Sequence, residues 1–414
     1  MRKKTALLII LILAFSLRLI ALGDIPRGFT PDEASQAYTA YSLNQTGQDE
    51  WGRPLPQLSF KSFLDYKAPL QTYLMMPAIS AFGLNEFSAR LPSAVFGTLA
   101  VFAVFLLANQ LFPKSSFNVA GKDISPGIVA SFVLAITPWH IQFSRMALEA
   151  NLTSFLFPLG LWAFLKGLKK PPWFNLTALS WGLSLYAYHS FKLFLPFFVL
   201  SLLIIYFPKI KKIKFKNLLP ALLIATLFAA PIYYLSIFTP AGSRGADLLV
   251  THLSDREAIL LSNVKSFSPL AKIHPYLSSI FHNQFISAVD QFITNYISYF
   301  TFSFWFTQGG REITYSIIPG TGLLFLWQLP FILVALFNLI KQRKQKESQL
   351  LFSWLLLAPI PAALTKLGYR PNRTSALLGF WALLTSLGVV IVFKNIKAVW
   401  LKAATTLVVV VSLL

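Results

Sequence analysis

The segment TALLIILILAFSLRLIAL, residues 5–22, is almost uninterrupted apolar sequence in which Arg18 is the only charged residue. A helix needs about 20 such residues to cross the roughly 30 Å of hydrocarbon in a bilayer. The segment follows a basic start at residues 2–4, has no small-residue cleavage site and is longer than the apolar core of a signal peptide. These features predict a retained transmembrane helix whose N-terminus is cytoplasmic.

The composition of the chain supports the same fold class. Of 414 residues, 55% are hydrophobic and 12% are charged, whereas a soluble domain carries about 25% charged residues. Cysteine is absent, which excludes disulfides and thiolate metal sites. Continuous apolar runs argue against a β-barrel, whose strands alternate in polarity. We therefore predict an all-α integral membrane protein, a polytopic helical bundle that forms a single domain over residues 1–414.

Lysine and arginine are distributed unevenly between the predicted loops. If successive spans alternate sides, the inner segments hold 20 of the 36 Lys and Arg residues but only two of the 15 Asp and Glu residues. This is the positive-inside pattern, so the net charge of +21 indicates topology and a lipid surface, not nucleic acid. The last span reaches Leu414 without a polar flank, so we expect the chain to continue. The eleven predicted spans are 5–22, 91–112, 124–143, 150–165, 173–189, 191–208, 217–238, 319–340, 350–365, 374–393 and 398–414.

Two further apolar segments are better explained as interfacial helices than as spans. Residues 68–83 are short, contain Pro77, and as a span would place the basic run 209–216 outside. Residues 285–306 are rich in Phe, Tyr and Trp, which suits the headgroup zone. Both segments belong to large outer loops, 23–90 and 239–318, so we expect the chemistry on the extracytoplasmic face of a bacterial-type plasma membrane.

The stretch GDIPRGFTPDEAS, residues 23–35, places Asp32 and Glu33 near the start of the first outer loop. Adjacent carboxylates at a membrane surface can act as a general base or bind a metal ion, or they can simply belong to a solvent-exposed turn. Pro31 also allows an alternative in which Asp32 is the N-cap of a helix and accepts backbone N–H bonds. The spacing of these residues alone does not decide whether Asp32 is catalytic or caps a helix.

Other polar residues fall at the outer ends of the predicted spans. Each alone is explained as an interfacial anchor, because Lys, Arg and Tyr side chains sit at headgroup depth. Together with an acidic pair on the same face they indicate a functional site. They are Lys67, Arg90, Arg145, Glu149, Tyr188, His189, Lys192, Lys366, Arg370 and Arg373.

The order of these motifs resembles that of the C-type-fold (GT-C) membrane glycosyltransferases, specifically the superfamily of the protein O-mannosyltransferases and the lipid A aminoarabinose transferases. Two positions depart from the family pattern: KAPL stands in place of KPP or HPP, and the acid after SR is Glu149, with Ala150 where the family has Asp. The motifs, which cover most of the chain, are TPDEA (30–34), DYKAPL (65–70), EFSARLPSAVFG (86–97), SRMALEANL (144–152), LYAYHSFKLFLP (185–196), GTGLLFLWQLPFILVAL (320–336) and RPNRTSALLGF (370–380).

The resemblance implies an inverting transfer of a sugar from a polyprenyl phosphate to an acceptor hydroxyl. Asp32 would be the catalytic base, and Glu33 would position Asp32 or the acceptor. The expected partners are the lipid-linked sugar, membrane lipid, and an acceptor protein or glycolipid. The phosphate would be bound by Lys67, Arg145, Lys192, Arg370 and Arg373, and the site would be shaped by Arg90, Glu149, Tyr188 and His189.

No cofactor is expected. The five histidines are too dispersed for a zinc site, but a divalent cation on Asp32 and Glu33 is kept as an alternative, since related C-type oligosaccharyltransferases use one. Two other functions are also kept. A lipid-linked glycan polymerase, ligase or hydrolase would share the fold, whereas a lipid or glycan transporter would place ionisable groups near the membrane midplane.

Overall fold

The computed structural model describes residues 3–62, 65–113, 115–119, 122–240, 249–251, 255–310, 321–366 and 368–395. Within these residues α-helix dominates, as predicted, and two short antiparallel hairpins are the only sheets. The hairpins pair β1 (Phe60–Ser62) with β2 (Asp65–Lys67), and β3 (Phe117–Val119) with β4 (Lys122–Ile124). The helices are α1 (Lys3–Leu19), α2 (Pro31–Thr46), α3 (Pro69–Phe82), α4 (Glu86–Leu111), α5 (Pro126–Ile136), α6 (Pro138–Ser144), α7 (Glu149–Gly167), α8 (Trp173–Ala187), α9 (His189–Ile210), α10 (Phe215–Phe238), α11 (Asp255–Phe267), α12 (Pro269–Ile273), α13 (Pro275–Phe281), α14 (Gln284–Ser298), a π-helix (Ser303–Thr307), α15 (Gln328–Lys341), α16 (Lys346–Leu357), α17 (Ile360–Ala363), a 3-10 helix (Pro371–Leu377) and α18 (Leu378–Asn395).

Four helices in the described part of the chain are individually long and apolar enough to cross a membrane. They are α4, α9, α10 and the continuous helix Pro371–Asn395, and a fifth candidate joins α5 to α6 across a bend of 63°. Helices α1, α7, α8, α15 and α16 coincide with predicted spans without meeting the same criteria of length and hydropathy. The count of eleven spans therefore stays a prediction, and the predicted span 398–414 lies outside the described residues.

The predicted span 124–143 is not one continuous helix, because it bends by 63° at Pro138 between α5 and α6, and its crossing of the membrane stays a prediction. Proline has no N–H to donate to the carbonyl four residues earlier, Leu134. The fully buried guanidinium of Arg18 supplies donors instead, from Nη2 to Leu134 O (3.4 Å) and from Nη1 to Ala135 O (3.1 Å). The charge inside the first predicted span thus satisfies the backbone of a broken helix.

Aromatic side chains fill the centre of the bundle between α7, α9 and α16. The ring of Phe157 on α7 lies 5.1 Å from those of Phe194 and Phe198 on α9, and 4.9 Å from that of Trp354 on α16, centroid to centroid. All three contacts are edge-on, an arrangement that the ring quadrupoles favour. These contacts fix α7 and α9 against each other, and both helices begin at the candidate site.

Helix α10 lies at the periphery of the described bundle. Ala221 and Ile232 are its only buried residues, and about half of its apolar side chains are exposed, as expected for a helix that faces lipid on one side. It packs on α8, where the hydroxyl of Tyr186 donates to Phe228 O (2.9 Å). One side of α10 therefore contacts protein and the rest is available to the bilayer.

The first loop predicted to lie outside contains α2, the β1–β2 hairpin and α3. A helix was predicted at 68–83, and α3 occupies Pro69–Phe82 with Pro77 inside it. Helix α3 packs against α2 and α4. Neither hairpin was predicted, since three-residue strands leave almost no periodic signal in a sequence. The β1–β2 hairpin matters for the site because it ends at Lys67.

The second loop predicted to lie outside is also helical over its described residues. Helices α11 to α14 follow one another with short breaks, and α14 overlaps the predicted interfacial segment 285–306. Exposed apolar side chains of α14 recur every four residues at Phe285, Val289, Ile293 and Ile297, which is one stripe of a helix. The interfacial position of this helix stays a prediction.

Candidate active site

Helix α2 begins with a capping box that turns the two adjacent acids in different directions. Thr30 is the N-cap: its Oγ1 accepts from the N–H of Glu33 (3.2 Å), and Oε2 of Glu33 accepts from the N–H of Thr30 (3.0 Å). The alternative in which Asp32 caps the helix is therefore wrong. Consecutive helical residues point about 100° apart, so Glu33 is fully buried while the side chain of Asp32 remains 32% exposed.

Asp32 forms an ion pair with Lys67 at the end of β2. The Nζ atom of Lys67 lies 2.6 Å from Oδ1 of Asp32, and the lysine side chain is largely buried. The hairpin holds the lysine there, because the hydroxyls of Ser35 on α2 and Ser62 on β1 are hydrogen-bonded to each other. The carboxylate is thus reachable from solvent and also contacts a cation.

The hairpin also contacts the start of α9. Nε2 of His189, the first residue of α9, lies 3.0 Å from the carbonyl oxygen of Tyr66. Tyr188 is the partly buried N-cap residue of the same helix. Lys192 follows one turn later, and its Nζ donates to Oγ of Ser236 on α10 (3.1 Å). The residues predicted from the first outer loop and from α9 therefore lie in one region.

Glu149 is brought to the same region from a third element. It is the first residue of α7 and is 8% exposed. Its carboxylate interacts electrostatically with the ammonium of Lys192, and it also interacts favourably with the positive end of the α7 dipole. Glu149 was predicted to shape the site, and the structure places it within electrostatic range of Lys192, a predicted phosphate ligand.

Glu33 and Arg90 form a fully buried ion pair behind Asp32. Nε of Arg90 donates to Oε1 of Glu33 (2.9 Å), which also accepts from the N–H of Ala147 (3.0 Å). Buried charges are tolerated when their hydrogen bonds are satisfied. The remaining donors of Arg90 reach the carbonyls of Leu22, Pro26 and Gly28 at 2.5 to 3.2 Å. The pair therefore holds the connection from α1 to α2, and Glu33 positions the helix that carries Asp32.

Arg145 is engaged by the backbone of α1 and the residues after it. Its guanidinium is mostly buried, and this burial, followed by repulsion from Arg90, lowers the pKa of Arg145 below its ordinary value. Both Nη atoms of Arg145 therefore donate to backbone carbonyls, and its role as a phosphate ligand stays a prediction. The acceptors are the carbonyls of Leu17, Ile20, Ala21 and Ile25, at 2.8 to 3.1 Å.

Arg373 lies in the 3-10 helix Pro371–Leu377, and Arg370 is the extended residue immediately before that helix. Both arginines are partly buried. The hydroxyls of Ser375 in this segment and Thr153 in α7 lie 3.3 Å apart, and Thr153 is one turn beyond the first residue of α7. The segment that carries the two arginines therefore packs against the start of α7, near the acid that interacts with Lys192.

Some residues of this region were not predicted. Ser236 lies within a predicted span and offers only a hydroxyl, and Tyr66 contributes a backbone carbonyl that no side-chain pattern reveals. The capping box is different, because Thr-x-x-Glu before a helix is a recognisable signature. Thr30 could have been identified from that signature.

The acidic pair does not converge on one point. Asp32 contacts Lys67, whereas Glu33 contacts Arg90. Among the described residues, no group of three or more His, Asp or Glu side chains could hold a metal ion. That the protein needs no metal cofactor stays a prediction.

Part of the chain matches a known family. Residues 66–234, less than half of the sequence, match the model of the family described as dolichyl-phosphate-mannose-protein mannosyltransferase. This region runs from β2 into α10 and includes Lys67, Glu149 and Lys192. No curated protein matches the sequence.

Solved structures resemble the chain over nearly its whole length. The archaeal oligosaccharyltransferase AglB from Archaeoglobus fulgidus, in complex with an inhibitory peptide and a dolichol-phosphate, has a TM-score of 0.59 at 14% identity, covering 99% of this chain and 54% of its own. ArnT from Cupriavidus metallidurans, bound to undecaprenyl phosphate, has a TM-score of 0.58 at 13% identity, covering 99% of this chain and 64% of its own.

At these identities the comparisons establish the fold and not the reaction. The chain has the C-type fold of membrane glycosyltransferases, and the resemblance predicted from its motifs is confirmed. It spans between 54% and 64% of the length of these two relatives.

Proposed function

We propose that this protein is an inverting glycosyltransferase, which moves a sugar from a polyprenyl-phosphate-linked donor to an acceptor hydroxyl on the outer face of the cytoplasmic membrane. The observation that carries the proposal is the contact between Asp32 and Lys67. A base must reach the acceptor, and a departing phosphate needs a cation nearby. This contact supplies an accessible carboxylate and an ammonium side by side.

In the proposed reaction the acceptor oxygen attacks the anomeric carbon while the bond from that carbon to the phosphate oxygen breaks. Asp32 takes the proton of the acceptor hydroxyl, and the polyprenyl phosphate leaves with the electron pair of the broken bond. A phosphate monoester has a second pKa of about 6, so it is a good leaving group without a general acid. A single displacement of this kind inverts the anomeric centre.

The cations proposed to neutralise the leaving phosphate are Lys67, Lys192, Arg370 and Arg373. Lys67 and Lys192 lie on elements that contact each other through Tyr66 and His189, and the arginine segment packs on α7 beside them. The proposal leaves Arg145 out of this set, because its Nη1 and Nη2 atoms already donate to backbone carbonyls.

The name of the matched family and the molecules bound in the two similar structures support a polyprenyl-phosphate-linked donor. The matched family is named for dolichyl-phosphate-mannose, and the two matched structures contain dolichol-phosphate and undecaprenyl phosphate. Native mass spectrometry of the protein, purified from membranes in mild detergent, tests the proposal directly. A bound polyprenyl-phosphate sugar is expected, and a nucleotide sugar in its place would contradict the donor class.

The proposed orientation predicts the side on which each end of α10 lies. A reporter enzyme fused after residue 216 should report the cytoplasm, because the basic run 209–216 is retained there. The same reporter fused after residue 240, beyond α10, should report the outside. The reverse pattern would place Asp32 on the cytoplasmic face and contradict an outer active site.

Glu149→Gln is expected to slow turnover about tenfold, equivalent to about 1.4 kcal/mol of transition-state stabilisation. The substitution keeps the shape of the side chain but removes the charge that interacts with Lys192. Steady-state kinetics with a lipid-linked donor would measure the change. The matched control is Glu86→Gln: Glu86 is also the first residue of a long helix, so it loses the same interaction with a helix dipole. If the two variants had equal kinetics, Glu149 would contribute only its interaction with the helix dipole, and its interaction with Lys192 would not matter for turnover.

Arg373→Lys is expected to weaken donor use by about 1–2 kcal/mol, because lysine keeps the charge but loses the planar fork that binds two phosphate oxygens. The donor kcat/KM in detergent is the measurement. Arg343→Lys, in the predicted cytoplasmic loop after α15, is the control for a simple loss of lipid anchoring. Wild-type kinetics for Arg373→Lys would show that Arg373 only anchors the chain in anionic lipid.

A further inference from the structure

A cavity of about 470 Å³ lies between α11 and α14 in the second outer loop, beside residues 364–366. Its volume is within the range of about 300–1,000 Å³ that is usual for small-molecule sites. One wall is apolar and includes Leu260, Leu261 and Val264 of α11. The α14 wall is mixed, with Ile286 next to polar residues.

The two helices that form the cavity contact residues 363–366, which precede the arginines of the candidate active site. Nδ2 of Asn295 on α14 donates to the carbonyls of Ala363 (3.2 Å) and Thr365 (2.7 Å). On the opposite wall, Glu257 of α11 forms an ion pair with Lys366 (3.3 Å). Both walls are thus fixed to the residues immediately before Arg370 and Arg373.

The charges of the cavity are opposite in balance to those of the proposed phosphate site. Among the described residues, the cavity is lined by two carboxylates, Glu257 and Asp290, and by a single Lys or Arg side chain, Lys366. The phosphate site collects Lys67, Lys192 and two arginines. An anionic headgroup is therefore disfavoured in the cavity, whereas carboxylate and amide oxygens accept hydrogen bonds from uncharged hydroxyls. The apolar wall suits an aliphatic chain.

We propose that this cavity binds the acceptor, and that the acceptor is an uncharged, hydroxyl-rich amphiphile: a glycolipid whose sugar lies between Glu257 and Asp290 and whose chain lies along α11. The proposal rests on the proposed glycosyltransferase function and names its acceptor class. Phe285, exposed on α14 next to Ile286 of the cavity lining, gives such a molecule an apolar contact at the entrance to the cavity. In this proposal the uncharged acceptor binds in the cavity and the anionic donor binds among the cations of the phosphate site.

Photocrosslinking tests the proposal without requiring transfer. The full chain in lipid nanodiscs is labelled with a dodecyl glucoside that carries a diazirine in its alkyl chain, and the labelled peptides are mapped by mass spectrometry. Wild-type protein should be labelled on α11 and α14. Ile286→Trp should reduce this labelling about tenfold, because a bulky side chain fills the space that the ligand needs. Ile293→Trp, on the same helix and similarly exposed but outside the cavity lining, should not.

Three outcomes would overturn the proposal. They are equal labelling of both variants, stronger labelling of the cavity by a matched dodecyl phosphate, and displacement of the label by a Ser- and Thr-rich peptide but not by excess glycolipid, which would make the acceptor a protein. Failure of the proposed function would look different. In that case Asp32→Asn would retain sugar transfer, or no lipid-linked sugar would co-purify, whatever the labelling of the cavity.

Discussion

Asp32→Asn is expected to lower the rate of sugar transfer by about 10²- to 10⁴-fold, the usual contribution of a general base. Asparagine keeps the size and shape of the side chain but cannot accept the proton of the acceptor hydroxyl. The helix should be unaffected, because Thr30 and Glu33 form the capping box and Asp32 takes no part in it. Transfer from a purified lipid-linked sugar in detergent is the measurement, with donor binding followed by native mass spectrometry.

Asp24→Asn is the matched control for this variant. Asp24 is an exposed acid of the same loop, eight positions earlier, and its substitution removes the same charge from the same surface. Its activity should equal that of the wild type. If Asp32→Asn also transferred sugar at the wild-type rate with normal donor binding, Asp32 would not be the base and the proposed function would lose its main support.

Arg90→Met is expected to destabilise the protein by about 3–5 kcal/mol, the range seen when one partner of a buried ion pair is removed. The loss leaves the carboxylate of Glu33 charged and buried, and it frees the carbonyls that hold the connection from α1 to α2. Thermal unfolding in detergent, followed by loss of the monodisperse species, measures the effect. The control Arg27→Met, an exposed arginine of the same loop, should change stability very little.

A double variant separates charge from packing. Glutamine at position 33 keeps the capping box and removes the buried negative charge, so Glu33→Gln should restore part of the stability lost in Arg90→Met. Losses that simply add would mean that the two side chains do not stabilise each other, against the 2.9 Å contact between them.

The long apolar helices could be predicted closely from the sequence, because hydropathy is a local property of the chain. Helix α10 was expected at 217–238 and runs from Phe215 to Phe238, and α4 was expected at 91–112 and runs from Glu86 to Leu111. The break in 124–143 was missed, although Pro138 marks it. A proline inside a transmembrane helix is often tolerated, so its effect depends on whether a donor such as Arg18 is present to satisfy a bend.

The candidate site was predicted less completely, because its contacts join distant parts of the sequence. Asp32 and Lys67 are 35 positions apart, and their contact depends on a three-residue hairpin. The arginines at the outer helix ends were indistinguishable in sequence. The four carbonyls that accept from the Arg145 guanidinium lie at least 120 positions earlier in the sequence, so only the folded chain reveals these contacts.

The exposed position of α10 links the candidate site to the physical state of the bilayer. Among the described residues, α10 packs mainly on α8, and it contacts Lys192 through the hydroxyls of Ser236 and Tyr233. A lipid-facing helix changes its tilt when the hydrocarbon thickness changes, at a cost of fractions of a kcal/mol per Å. Such a tilt would move the two hydroxyls relative to α9. We therefore expect membrane thickness, which is set by acyl-chain length, to affect the position of the Lys192 ammonium.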